Sequence, residues 1–392
     1  MQPIAIHADR AFTPFEEISD AVVVIHGSKI IDVGSRGTVV LPRGAREISM
    51  RGQTVVPGFV DVHIHGAGGH DVMEGTPEAL EIIAATVARH GTTSMVATTV
   101  TASEIETSDS VGGIARFILK SGQHAIRDLA AEIVGIHFEG PFISPVRRGV
   151  HPADWIIPPS QPFLSMLLKE ARGMGLLLTL APELPGALEL IAAARKAGLV
   201  VSLGHTDANY EQARAAIDAG ATHAAHVYNA MRPFSHRGTG VIGAILTSPK
   251  VSAELIADGV HVDEAAMLML IGLKTPERVI LVSDGTSGTG MPDGKYKLGM
   301  FELTVSGGVC RNSERKLAGS TLTLDRALRN IVALGVPLGA ALRMVTANPA
   351  RQIGLGSRKG VLAAGADADL VFLDDKLEVS GVMTRGAGLA QA

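Results

Sequence analysis

Six residues able to bind a metal or move a proton stand at or beside the ends of short apolar runs. His63 and His65 fall at the end of FVDVHIH, Glu139 at the end of EIVGIHFE, His205 at the end of LVVSLGH, His226 in THAAHV and Asp284 at the end of RVILVSD. Residues two apart on a strand face the same way, so His63 and His65 can address one ion. Imidazole and carboxylate donors without thiolate suit Zn²⁺, Fe²⁺, Mn²⁺ or Co²⁺ rather than Ca²⁺. Three protein ligands leave a position for water, and an ion there lowers the pKa of that water and polarises a carbonyl. An ionised Asp284 alongside would take the water proton and return it to a leaving amine. The chemistry these residue types spell is metal-assisted hydrolysis. Taken singly, each has a plainer reading: a strand-end histidine is commonly a hydrogen-bonded core or loop residue, and Asp284 before Gly285 suits a turn. Recurrence of the pattern at one topological level favours the site. His137 and His223, two and three residues before proposed ligands, read as supporting or packing residues, with His137 facing inward.

Such residues need a scaffold that brings many strand ends together. Eight apolar runs (FVDVHIH, TSMVAT, EIVGIHFE, LLLTLAPE, LVVSLGH, THAAHV, VSAELIA and RVILVSD) alternate with helical patterns such as PEALEIIAATVARHG and NYEQARAAIDAG. Gly91, Gly198 and Gly220 sit where those helices should stop. The alternation predicts an α/β protein with a (β/α)8 TIM-like barrel, whose catalytic groups gather at the strand C-termini. Before residue 57 and after residue 351 the texture changes to short strands and turns, as in AVVVIHGSKI and GADADLVFLDD. Neither end can close a core alone, so residues 1–56 and 352–392 are expected to share a small β-sandwich domain, interrupted by a barrel over 57–351. The segment 285–320 reads as a long loop carrying a hairpin, long enough to serve as a lid. Leu324, Ala327, Leu328, Ile331 and Leu334 then line one helix face as core.

Composition removes several function classes. Of 392 residues 46% are apolar, enough for a large core, and the net charge is −4 without a basic, aromatic-laced stripe, which argues against nucleic-acid binding. The single cysteine, Cys310, excludes an internal disulfide framework and a thiolate zinc site, and fits a reducing compartment. No apolar run approaches the roughly 20 residues of a membrane span, and no signal peptide is visible, so a cytoplasmic location without membrane contact is expected.

The strings PGFVDVHIHGAGG, HFEGPF, GHT, AHVYNAM, ADGVHVD, VSDG, LAGS and GADADLV run through almost the whole chain. They resemble the amidohydrolase superfamily, and HFEGPF with HVYNAM and LAGS resembles its sugar-phosphate deacetylase branch. That resemblance implies hydrolysis of the acetamide of N-acetylglucosamine 6-phosphate in amino-sugar catabolism, with the galactosamine epimer or another N-acyl amine as the alternative substrate. It implies a divalent metal, one or two ions per subunit and zinc first among them, held by Glu139, His205 and His226. His63 and His65 preserve the pair that holds a second ion in some members, with Glu139 bridging. Asp284 resembles the general base and acid, and His151 a histidine that hydrogen-bonds the acetyl carbonyl. Arg237 and His261, with backbone N–H groups around Asn229 and Ala230, are implied to meet the phosphate. Val150 and the segment Leu317, Ala318, Gly319 and Ser320 are implied to border the sugar. The family arginine reaches a neighbouring subunit, so a homodimer with composite sites is expected. The loops GAGGHDVMEG, with His70 and Asp71, and MRPFSHRGTG are less typical and bear on sugar preference. A cyclic amidase of the dihydroorotase type is less favoured, because those relatives bridge two ions with a carboxylated Lys and LLLTLAPE has none. A barrel that binds metal without catalysis would leave Asp284 without a task.

Overall fold

Eight parallel strands make one sheet whose spatial order follows the sequence: Phe59–Ile64, Thr92–Thr99, Glu132–Glu139, Gly175–Leu180, Val200–Leu203, His223–Ala224, Ser252–Leu255 and Val279–Leu281. The structure, a computed structural model, describes residues 2–121 and 129–388, so the last four residues of the expected 352–392 segment lie outside it. The strands coincide with the eight apolar runs, and the first meets the last just beyond its end. There Ile64 bridges Gly285 in parallel, the His65 N–H donates to the Gly285 carbonyl at 2.8 Å, and the Asp284 N–H donates to the His63 carbonyl at 2.9 Å. The barrel is therefore joined at the level where the proposed chemistry sits.

Burial on both faces explains the strand composition. Every residue of Thr92–Thr99 and of Phe59–Ile64 is buried. Inside, polar side chains satisfy one another: a His137 ring nitrogen, Nε2, lies 2.7 Å from Thr179 Oγ1 and its Nδ1 3.3 Å from Thr98 Oγ1. Outside, helices turn an apolar stripe inward. In Pro77–Ala88 the buried Leu80, Ile83, Ala84 and Val87 follow helical spacing, Thr76 caps the start by accepting from the Ala79 N–H, and Gly91 ends the turn at φ 84°. Gly198 and Gly220 also take positive φ beyond their helices. Helix Leu324–Ala333 buries Leu324, Ala327, Leu328 and Ile331 of the face read from the sequence, and Leu334, just past its end, is half-buried.

The chain ends share one hydrogen-bonded six-stranded sheet, ordered Val379–Met383, Leu370–Leu373, Arg46–Pro57, Ile4–Phe12, Glu17–His26, Lys29–Ser35. Ile6, Val23, Ile25, Val55, Leu370 and Phe372 form its core. It joins the base of the barrel through a buried ion cluster. The Lys359 ammonium, fully buried, lies 2.7 Å from Asp369, 2.9 Å from Asp367 and 2.6 Å from Glu132, the first residue of the third barrel strand.

Segment 285–320 carries a three-stranded antiparallel sheet, Gly294–Leu298, Phe301–Ser306 and Val309–Asn312, rather than a simple hairpin. Leu298, Leu303, Val305 and Cys310 pack with Ala318 and with Val100 of the barrel. Asp71 fastens this sheet down, its carboxylate accepting the Gly299 N–H at 2.8 Å. Among the described residues no helix is long and apolar enough to cross a membrane.

Candidate metal centre

Each proposed ligand leaves its strand on a backbone that aims it at one point. His205, His226 and Asp284 adopt φ of 48°, 26° and 50°, left-handed conformations that cost non-glycine residues about 1–3 kcal/mol each and gather at functional sites. Glu139 Oε1 is the common neighbour, 3.1 Å from His226 Nε2, 3.2 Å from His205 Nε2 and 3.3 Å from His63 Nε2. Its other oxygen lies 3.4 Å from both His65 Nε2 and His151 Nε2. Asp284 Oδ1 stands 3.2 Å from His65 Nε2 and 3.6 Å from His63 Nε2. All of these side chains are buried.

Two features test whether the donors suit an ion. His205 Nε2 and His226 Nε2 face each other at 3.1 Å. A tetrahedral ion with bonds of about 2.0–2.1 Å spaces its donors roughly 3.3 Å apart, the spacing of this cluster. His63 Nε2 is buried without a hydrogen-bond partner. Three overlapping sets of donors converge closely enough for an ion: His63, His65 and Asp284; His63, Glu139 and His226; Glu139, His151 and His205. The residues therefore fit a divalent metal.

The far sides of the rings fix which nitrogen points inward. His205 Nδ1 lies 3.0 Å from the Arg147 carbonyl and His65 Nδ1 3.0 Å from the Thr98 carbonyl, so each donates outward and presents Nε2 to the site. His63 Nδ1 meets Glu254 at 2.8 Å. His151 is set the opposite way. The Thr101 N–H donates to its Nδ1 at 3.2 Å, with Thr101 Oγ1 2.9 Å from the same nitrogen. A backbone N–H can only donate, so in the neutral ring the proton sits on Nε2, facing the site. Gly140 permits this approach, since a Cβ there would lie 2.3 Å from Thr101 Oγ1.

Charge follows from these contacts. Burial opposes ionisation of Glu139, but His63 and a hydrogen bond from His151 hold its carboxyl well below the usual carboxylate range. Burial likewise works against Asp284, yet His65 and His63 hold it below its ordinary value, ionised and able to accept a proton. Burial brings His205 down to about 4, leaving the neutral ring a metal requires.

A cavity of about 230 Å³ opens on this centre, lined by Val150, His151, Asn229, Ala230, His261, Leu317, Ala318 and Gly319 among others. His261 Nδ1 is held by Asp258 at 2.6 Å. Ser320 is not among the lining residues: its hydroxyl donates to the Ser283 carbonyl and its N–H to the Asp284 carbonyl, bracing the strand end. The Asn229 N–H donates to the His226 carbonyl at 3.0 Å, whereas among the described residues the Ala230 N–H beside it meets no backbone acceptor. Arg237 lies outside the cavity, beside Arg232, His236 and Tyr210 in a separate surface hollow, because its loop turns outward within one chain. His70 and Asp71 border an adjoining hollow of about 790 Å³ instead, where His70 pairs with Glu74.

Sequence reasoning missed Glu254 and Thr101. Thr101 lies three residues beyond the run TSMVAT, in no string that was singled out, and Glu254 lies inside a strand rather than at its end; the signal for Glu254 was a lone carboxylate inside the apolar run VSAELIA.

A parallel eight-stranded barrel with buried imidazoles and carboxylates converging at its C-terminal mouth defines a metal-dependent barrel hydrolase. The sequence pattern of the amidohydrolase family matches residues 54–388, and the chain belongs to that family. It is 37% identical to an N-acetylglucosamine-6-phosphate deacetylase of Lysinibacillus sphaericus over 86% of this chain and 85% of that protein. It is also 37% identical to an N-acetylgalactosamine-6-phosphate deacetylase of Escherichia coli O157:H7 over 85% of this chain and 87% of that protein. Among solved structures, an aspartate-to-alanine variant of N-acetyl-D-glucosamine-6-phosphate deacetylase from Mycobacterium smegmatis, in complex with N-acetyl-D-glucosamine-6-phosphate, superposes with a TM-score of 0.92. That protein is 37% identical, covering 99% of each chain.

Proposed function

We propose that this chain hydrolyses the acetamide of N-acetyl-D-glucosamine 6-phosphate, releasing acetate and D-glucosamine 6-phosphate. The observation that carries the reading is the convergence of Glu139, His205, His226, His63, His65 and Asp284 in a chain similar over its length to deacetylases of this class. Glu139, His205 and His226 would hold the principal ion, and His63 and His65 would help to hold a second. Zinc suits the donor set best, and Fe²⁺, Mn²⁺ and Co²⁺ are the alternatives it accepts. When bound, the ion supplies Lewis-acid polarisation of the acetamide and acidifies water.

The rest of the reaction belongs to the side chains. Asp284 takes the proton of the attacking water and returns it to the leaving nitrogen. His151, with its proton on Nε2, donates to the oxygen on which negative charge develops. Val150, Leu317, Ala318 and Gly319 wall the sugar. His261 and the Ala230 N–H receive the phosphate, and Arg237 of a second copy completes that pocket in a homodimer with composite sites. The compartment is cytoplasmic.

N-acetylgalactosamine 6-phosphate is the second reading, since a relative carrying that name is as similar as one named for the glucosamine epimer. Acetate release from both epimers, with and without phosphate, decides between them using purified metal-loaded protein. The glucosamine phosphate is expected to be turned over fastest; no acetate from either phosphorylated sugar would overturn the reading.

A further inference from the structure

Glu254 is the only charged residue of the strand Ser252–Leu255 and is fully buried. One of its oxygens, Oε2, accepts from His63 Nδ1 at 2.8 Å and from the His226 N–H at 3.0 Å. The other, Oε1, lies 2.7 Å from His223 Nε2. A single carboxylate thus touches three histidines on two other barrel strands or their ends, and two of those histidines are proposed metal ligands.

The dependence is unequal across the centre. His65 and His205 are oriented by main-chain carbonyls, which no side-chain substitution removes. His226 has no partner for its own Nδ1 and is anchored instead at its N–H, on a backbone with φ of 26°. His63 presents Nε2 inward because Nδ1 is engaged outward by Glu254. One ligand of each metal position therefore rests on the same buried carboxylate.

We infer that Glu254 is a positioning residue that couples the two metal positions, so that its loss weakens both together. His223 braces Glu254 from behind and does not face the ion. The inference rests on the metal-centre reading above. Glu254→Gln keeps the shape but replaces one acceptor oxygen by an NH₂ group, so it cannot accept all three bonds.

The test is a competition titration of Zn²⁺ against a chromophoric chelator, on wild type, Glu254→Gln, Glu254→Asp and the control Glu132→Gln, with folding of each checked by circular dichroism. Glu254→Asp keeps the charge but withdraws it by one methylene, and serves if the glutamine variant does not fold. Loss of an outer partner of a metal ligand costs about 10–100-fold in affinity. That weakening is expected for every ion the wild type binds, and not in Glu132→Gln. In the Glu254 variants kcat at limiting zinc should fall with KM unchanged, and added zinc should restore it. Wild-type affinity in the folded Glu254 variants, or an equal loss in Glu132→Gln, would overturn the inference. A wild type that binds no metal would instead remove the metal-centre reading and this inference with it.

Discussion

Buried charge collects at both ends of this barrel, and the two collections are completed differently. At the base, the Lys359 ammonium carries three protons and meets three carboxylates, Asp369, Asp367 and Glu132, while Arg358 adds a second cation to Glu132 at 2.8 Å. Opposite charges pair with one another there, and the cluster ties the third barrel strand to the terminal sheet. At the mouth, like faces like: the Nε2 atoms of His205 and His226 lie 3.1 Å apart, both against Glu139 Oε1. That cluster could be completed by a cation. A buried charge network serves cohesion when opposite charges within it pair, and chemistry when like groups leave a place for something else.

The contrast is sharpest in what substitutions should do. Asp284→Asn keeps the shape but removes the proton acceptor, and kcat is expected to fall by roughly 10²–10⁴, the usual worth of general acid–base catalysis, with thermal melting little changed. Lys359→Met should do the reverse. Three carboxylates are left buried without their ammonium, which costs about 3–5 kcal/mol by the usual cost of breaking a buried pair, measured by denaturant unfolding, while the folded protein keeps its zinc affinity.

The pH dependence of stability separates the ends again. Burial raises the Glu132 and Asp367 carboxyls, but Lys359 outweighs it and holds both below their ordinary values of 4.5 and 3.8. Folded-state pKa values that are depressed contribute stability above the unfolded values, lost as pH falls through the folded ones. Asp369 has the opposite sign, because burial holds it above 3.8 despite Lys359, and it relieves a cost as pH falls. Wild type should lose stability on acidification below about pH 4.5, the ordinary glutamate range. In Lys359→Met the largest opposing charge is gone, leaving Arg358 and Arg385 to act on Glu132 and Lys29 and Arg358 on Asp367, so the loss over the same window should be smaller than in wild type, as followed by chemical denaturation at each pH. A parallel loss in both proteins would contradict the assignment of Lys359 as the cause. The smallest effect is expected from Thr101→Val, which removes the hydroxyl but keeps the N–H that fixes the His151 tautomer. One hydrogen bond of about 0.5–1.5 kcal/mol predicts a fall in kcat of roughly tenfold or less.

Much of the fold was legible because each barrel strand is an apolar run bounded by turn residues, and each of three helices stops near a glycine that takes positive φ. The cluster at the mouth was legible for a related reason: its members occur at strand ends, a position that sequence order alone reveals. Glu254 was not, because it lies inside a strand, and only the closed barrel brings Ser252–Leu255 against His63 and His226. The brace that Ser320 forms was not legible, because a residue beside a cavity and a residue bracing its wall share the same string. Arg237 shows the limit of one chain, since the loop that carries it turns away from its own cavity. The base cluster escaped notice because Glu132 and Lys359 are more than two hundred residues apart, and neither string announces the other.

The most direct test is acetate release from N-acetyl-D-glucosamine 6-phosphate by a single preparation, before chelation, after chelation and after Zn²⁺ is restored. Activity should be lost on removing the metal and return with it. A chelated, metal-free protein that keeps its full rate, or a metal-loaded one that releases no acetate, would contradict a metal-dependent deacetylase.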